Sequence, residues 1–367
     1  MNYLFPFIKK PQDPQLPVRL NEAAVRLSGK LNRVNPAELA VSDYNKKYLA
    51  KYIRKMRQTL QKYVYLLMTA LDGTGKRAED TVLIDYGGGS GLISLLAKEA
   101  GVGRVIYNDI FETSITDVKE LARVFEIDLD DYICGDIQGV LEYTRRLNLK
   151  PDALVSSDVL EHIYDLDMFF GALVHHMPDG FSFAMTTHAN PGNPVINYLL
   201  KKKQRALELT DRPPEWGHKA SDSLRSYRRL RMDIIREGYP SLNETEINML
   251  ALRTRGRHRG DIMKCAEEYV RARIMPPMPD HPTNTCDPLT GNRADRLMKP
   301  KVYLQILSQA GFQARLLNGY YGHPRPLVRR IIARLLDLGI YLTGRQGYRL
   351  ASYFIIAGKK SPHTGGV

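Results

Sequence analysis

Between residues 81 and 187 short apolar runs alternate with longer amphipathic stretches. Residues 81–86, 104–108, 132–134, 153–156 and 181–187 read as strands. Residues 90–100, 112–125, 138–147 and 160–176 between them carry helical spacing. Repeated strand–helix–strand units of this length predict a parallel sheet with helices on both faces.

The flanks follow other rhythms. Residues 1–35 read as an extended arm, rich in proline and basic residues. From 36 to about 71 the pattern turns helical, with Tyr44, Tyr48, Tyr52, Leu60, Tyr63 and Leu67 recurring among lysines and arginines, and Asp72-Gly73-Thr74-Gly75 ends it. After His188-Ala189-Asn190-Pro191 the strand–helix alternation breaks. Residues 195–298 are helical in pattern, basic at 225–231 and 253–259, and close in a proline-rich loop at 276–282. The alternation resumes with a helix over 301–310, a turn at Gly311 and a strand at 313–317. An amphipathic helix over 324–342 and a last strand at 351–356 follow. The expected segments are therefore 1–79 (arm and helical extension), 80–190 (core), 191–299 (helical insertion, a lid or substrate domain), 300–358 (completion of the core) and 359–367 (polar tail).

An apolar share of 43% and a charged share of 25% over 367 residues are globular values. The formal charge of +13 adds a preference for an anionic partner: nucleic acid, a membrane surface or a negatively charged substrate. Cys134, Cys265 and Cys286 are odd in number and lack a CxxC pair, which speaks for a reducing compartment and against a disulfide framework. The set His258, Cys265, His281 and Cys286 matches no common zinc spacing, so no metal is expected. No window reaches the roughly 20 apolar residues that span a bilayer, and the N-terminus has the wrong order for a secretory signal. A soluble, cytoplasmic protein is expected.

The chemistry concentrates at Asp85-Tyr86-Gly87-Gly88-Gly89-Ser90-Gly91-Leu92, directly after the first strand. A glycine turn opening a helix brings bare backbone amides to a phosphate or an adenosine-type cofactor. Dinucleotide folds need GxGxxG or GxGxxA, but the third position falls on Leu92 or Ser94. A phosphate loop needs Lys-Ser/Thr after the last glycine, where Leu92-Ile93 stands. GxGxG fits, with Gly87, Gly89 and Gly91, and Asp85 two positions before.

That motif resembles motif I of the class I S-adenosylmethionine-dependent methyltransferases, and the likeness continues in order over about 80–190, more faintly over 300–358. The resemblance implies an α/β, doubly wound, Rossmann-like and mostly parallel seven-stranded sheet, with S-adenosyl-L-methionine as cofactor and S-adenosyl-L-homocysteine as product. It implies that the glycines pass beneath the amino-acid half of the cofactor and that Asp85 helps hold its ammonium. Asp109, with Ile110 beside it, falls where the family binds the ribose; Asp136 would accept from the adenine amine, with Ile137 packing on the ring. Ser157 and Asp158 follow the fourth strand on the cofactor side. The string Asp158-Val159-Leu160-Glu161-His162-Ile163 is similar to that of ubiquinone-biosynthesis-type small-molecule methyltransferases. Each aspartate is also placed to cap a helix.

Methyl transfer from a sulfonium asks the protein to position the nucleophile and remove its proton. His188, just after the fifth strand, is the preferred base; His162 is the second candidate. Asn190, Tyr321 and His323 stand where an acceptor would bind. The expected acceptor is a small molecule or one linked to lipid or sugar, methylated on oxygen. An RNA-directed methyltransferase and a non-catalytic cofactor-binding scaffold are the alternatives; the fourth strand lacks the Asn/Asp-Pro-Pro-Tyr/Phe string of enzymes that methylate base amines, so nucleic acid is the weaker partner. Peripheral membrane contact through 324–342 and homo-oligomerisation stay open.

Overall fold

The computed structural model describes residues 2–213, 223–324 and 326–361; Trp216, which the sequence offers as a lid anchor or a packing residue, lies outside them. Seven strands among the described residues form one sheet: β1 (Val82–Tyr86), β2 (Arg104–Asp109), β3 (Asp131–Cys134), β4 (Ala153–Ser157), β5 (Ser182–Thr187), β6 (Phe312–Asn318) and β7 (Phe354–Lys360). Their order is β3-β2-β1-β4-β5-β7-β6. β1 to β5 pair in parallel, and β7 runs antiparallel to both neighbours, so the sheet is mixed. The chain moves outward from β1 through β2 to β3, then returns to the other side of β1 as β4. That reversal leaves a crevice beyond the carboxyl ends of β1 and β4, the place where open α/β sheets take ligands.

Alternate strand residues serve opposite faces. Leu83, Val105, Val155 and Ala184 join one core with residues of α1 (Leu16–Leu31), α3 (Met56–Thr74), α4 (Leu92–Glu99) and α5 (Glu112–Phe125). On the other face Phe183 packs against Phe170 of α7 (Leu166–His176) and against Phe312, with ring centroids 5.9 and 5.2 Å apart.

The N-terminal region departs from expectation. Residues 1–35 are not an extended arm, because α1 occupies half of them. Leu16, Leu20, Ala23, Ala24, Leu27 and Leu31 recur at helical spacing and are buried. Pro17 falls in the first turn, where its missing N–H costs nothing, so the proline that suggested an arm starts the helix. The helical pattern over 36–71 divides into α2 (Asp43–Arg54) and α3, which Gly75 ends in a left-handed conformation (φ +71°). The last strand lies later than the apolar run 351–356 suggested.

The chain divides into two units. The first comprises Met1–Leu160, Asp165–Asn193 and Lys299–Val367 and carries the sheet; the second comprises Glu161–Tyr164 and Pro194–Met298. The second is built from α8 (Pro194–Leu209), α9 (Tyr227–Gly238), α10 (Glu244–Arg253) and α11 (Arg259–Ala272), with Ile234, Ile235, Ile247, Leu250, Ile262 and Ala266 in its core. Returning to the first unit, α6 (Ile137–Arg146) follows β3, α12 (Pro300–Ala310) leads into β6, and α13 (Leu327–Leu342) lies between β6 and β7.

Candidate active site

β1 delivers the chain into a turn where Gly87, Gly89 and Gly91 all have positive φ (+68°, +53° and +71°). Two of them also have no room for a side chain. A Cβ at Gly87 would come 2.5 Å from Val159, and one at Gly91 2.1 Å from Val118. Gly89 differs: a Cβ there would meet nothing within 4 Å. The turn is packed from behind and open over Gly89, as a cradle for a ligand must be.

Asp109, at the end of β2, faces that opening. Its Oδ2 accepts from Gly89 N at 3.0 Å and its Oδ1 from Phe111 N at 3.0 Å. A carboxylate with its two oxygens suits a pair of adjacent hydroxyls. Tyr107 braces the turn by donating its hydroxyl to Gly89 O at 2.5 Å. Ile110 is 56% exposed and can cover a flat ring, whereas Ile137 is enclosed at 2%. Asp136 caps α6, its Oδ1 accepting from Gln138 N at 3.0 Å and Gly139 N at 3.3 Å. It is exposed, so the capping role leaves it accessible to a ligand.

Asp85 is not at a surface where it could grip an ammonium directly. It is fully buried, and its Oδ2 accepts from Ser94 N at 3.1 Å and Ser94 Oγ at 2.7 Å, anchoring the first turn of α4. Its Oδ1 has no hydrogen-bond partner among the described residues. Burial raises its pKa to about 7, with Asp109 adding to the rise and the Ser94 hydrogen bonds opposing it.

Asp158, at the end of β4, does not cap a helix. It has φ +59°, a conformation that aspartate tolerates better than most side chains. Thr186 Oγ1 donates to its Oδ1 at 3.1 Å, and Lys62 Nζ of α3 lies 2.6 Å from its Oδ2. His188 Nδ1 lies 3.9 Å from Oδ1. Burial alone would raise this carboxyl, but Lys62 and His188 outweigh it and hold Asp158 well below the usual carboxylate range. The adjacent Ser157 Oγ is 3.4 Å from the same carboxylate. Lys62 is steadied further by the rings of Tyr353 and Tyr63, with centroids 5.5 and 5.8 Å away.

α2 lies beside both carboxylates. Ser42 caps it and fastens it to α5, with Ser42 N donating to Asp117 Oδ1 at 2.9 Å and Asn45 Nδ2 to Oδ2 at 2.7 Å. Its tyrosines at every fourth position pack in a row, Tyr44 to Tyr48 at 4.7 Å and Tyr48 to Tyr52 at 6.0 Å between ring centroids. Burial raises the Tyr44 and Tyr52 hydroxyls well above their ordinary range. Asp109 contributes to the first shift and Asp158 to the second.

Other candidates have local duties. Asn190 is fully buried; its Nδ2 donates to Tyr348 O at 2.6 Å and Ala351 O at 2.9 Å, and its Oδ1 accepts from Gly192 N at 3.0 Å. This amide fastens the loop after β5 instead of facing an acceptor. Tyr321 donates its hydroxyl to Leu350 O at 2.8 Å, and His323 Nδ1 is 3.0 Å from Gln61 Nε2. His162 falls in the second unit, where Nδ1 is 2.7 Å from Arg293 O and Nε2 is 3.8 Å from Asp295 Oδ1. Its Nδ1 donates to that carbonyl, which fixes the ring's orientation and leaves Nε2 on the side of Asp295.

Lys62 and Thr186 were not named from sequence, and the α2 tyrosines were read only as a helical pattern. A legible signal existed for Lys62, a lone charge inside the buried run 60–68. The role of Thr186 depends on strand pairing that no local pattern reveals.

No family model matches the chain, and no curated protein matches it. Solved structures do. An S-adenosylmethionine-dependent methyltransferase from Clostridium acetobutylicum is 10% identical, with 87% of this chain and 99% of that one covered and a TM-score of 0.41. One from Mesorhizobium loti is 13% identical, with 76% and 90% covered and a TM-score of 0.37. The CurJ carbon methyltransferase is 11% identical, with 95% and 67% covered and a TM-score of 0.41. At such values the fold rests on the strand order and the turn described above.

Proposed function

We propose that the protein is an S-adenosyl-L-methionine-dependent methyltransferase acting on the oxygen of a small-molecule or lipid- or sugar-linked acceptor. The observation that carries the reading is the glycine turn at the end of β1, open only over Gly89 and faced by Asp109 at the end of β2. Asp109 would take the ribose hydroxyls, Ile110 would lie on the adenine, and Asp136 would accept from its amine. Asp85 would act through its charge and by setting the turn. When bound, the cofactor supplies a methyl group already activated on sulfonium sulfur.

The chain's own contribution is proton removal and positioning. His188 Nε2 would take the acceptor proton, while Asp158 beside Nδ1 orients the ring. Lys62 and Thr186 fix Asp158. The row of tyrosines on α2 would screen this region from water.

S-adenosyl-L-homocysteine should raise the melting temperature, and Asp109→Ala should remove most of that shift. A variant that keeps the full shift overturns the ribose assignment, and tight binding of a nicotinamide dinucleotide in its place overturns the whole reading. With an acceptor in hand, His188→Gln should lower kcat by about 100-fold or more while leaving the homocysteine-induced shift in place.

A further inference from the structure

Away from the glycine turn, a cleft of about 930 Å³ opens between the α2–α3 junction and α13. Arg54, Lys55 and Arg57 line it from the junction, Arg329 and Arg330 from α13, and His323 from the loop before α13; no carboxylate among the described residues lines it. Arg54, Lys55, Arg329 and Arg330 have no ion-pair partner among the described residues, and Arg330 Nε is buried without a hydrogen-bond partner. His323 is pushed below its ordinary range by burial and by Arg57, Arg334 and Arg330. Cations gathered in a recess with no carboxylate among them form a site for an anion.

The helix beside the cleft is unusual in the opposite sense. Leu327, Val328, Ile331, Leu335, Leu338 and Leu342 are 43–72% exposed. At 3.6 residues per turn they share one sector about 100° wide. Ala333, Asp337 and Ile340 form the buried face behind them. Asp337, the helix's one acid, points inward and accepts from Tyr321 N at 2.6 Å and Gly322 N at 3.0 Å. The outward surface of α13 is therefore apolar with arginine at its margins and free of negative charge.

We infer that this face docks on an anionic phospholipid membrane, with lipid headgroup phosphates in the cleft and the apolar sector of α13 among the upper acyl chains. An apolar sector bordered by cations is what a helix lying in the plane of a membrane interface requires. A second copy of the chain fits worse. A two-fold pairing on α13 brings together two copies of one basic, acid-free surface and supplies no counter-charge for its arginines. No helix among the described residues is long and apolar enough to cross a membrane, so the contact is peripheral. The inference is independent of methyl transfer, since no residue proposed for the cofactor or for proton removal belongs to the cleft or to α13.

Flotation of the full chain with vesicles tests it. The wild type should rise with vesicles of phosphatidylcholine mixed with phosphatidylglycerol and bind pure phosphatidylcholine at least about ten-fold more weakly. Ile331→Glu with Leu335→Glu, both on the exposed sector, should abolish flotation. Arg329→Gln with Arg330→Gln should weaken it about ten-fold or more. All variants should keep the wild-type melting temperature and its shift with S-adenosyl-L-homocysteine, which separates failure here from failure of the proposed function. Equal binding to both vesicle types, or none to either, overturns the inference. So does protection by inorganic phosphate without flotation, which would give the cleft to a soluble phosphate ligand. A dimer seen by light scattering that Ile331→Glu with Leu335→Glu dissociates, again without flotation, would give α13 to a second copy.

Discussion

Asp85 and Asp158 stand at the ends of adjacent strands, and the chain drives them in opposite directions. Asp85 is enclosed with one oxygen unpartnered, and its pKa rises to about 7. Asp158 is gripped by Lys62 and Thr186, and its pKa falls. The folded chain holds the Asp85 proton more tightly than the unfolded chain does, so this residue lowers stability as pH rises from 3.8 to about 7. Asp85→Asn should therefore lose less melting temperature than the wild type across that window; an identical loss contradicts the assignment. Lys62→Met removes the charge that outweighs burial at Asp158. The acid limb of the pH–rate profile should then move to higher pH, and an unmoved limb would show that Lys62 does not set this carboxylate.

At the scale of the element, the turn between β1 and α4 does two separable jobs. Gly91 lets the backbone pass Val118, which is fully buried and stiff. Gly91→Ala should cost about 2 kcal/mol or more through overpacking and positive φ together, read as a fall in chemical-denaturation midpoint. Gly91→Ala with Val118→Ala should regain part of it. Gly89→Ala meets no atom and carries only the strain of its φ, of order 1 kcal/mol. It should nonetheless weaken S-adenosyl-L-homocysteine binding by calorimetry far more than its stability loss would suggest. Equal effects of the two substitutions on binding and on stability would contradict the cradle.

Across the whole molecule, the charge of +13 is unevenly available. Many arginines of the second unit are paired. Arg225 meets Asp233 at 2.6 Å, Arg259 meets Glu237 at 2.9 Å and Arg273 meets Glu246 at 2.9 Å. Arg231 is the extreme case. It is fully buried, paired with Glu208, and donates from Nε to Ala251 O at 2.8 Å. Arg231→Met leaves Glu208 buried without its counter-charge and should destabilise the protein by about 3–5 kcal/mol. Adding Glu208→Gln should recover part of that loss. No loss in the single variant would mean that the pair does not hold the unit together.

Local pattern was enough for the alternation of strands and helices, because a strand buried in a sheet and a helix lying on it repeat with different periods. It was enough for the turn as well, since Gly87, Gly89 and Gly91 are spaced as bare backbone before a helix, and all three take positive φ. Tertiary structure alone decided the rest. It turned β7 against its neighbours, folded the proline-marked arm into α1, enclosed Asp85, assigned Asn190 to a loop and His162 to the second unit, and brought Lys62 to Asp158 across 96 positions. It also left the apolar sector of α13 outward. A residue's spacing shows which neighbours share its face, but burial, charge pairing and hydrogen-bond partners arise from segments far apart in the chain, and these determine what each polar group can do.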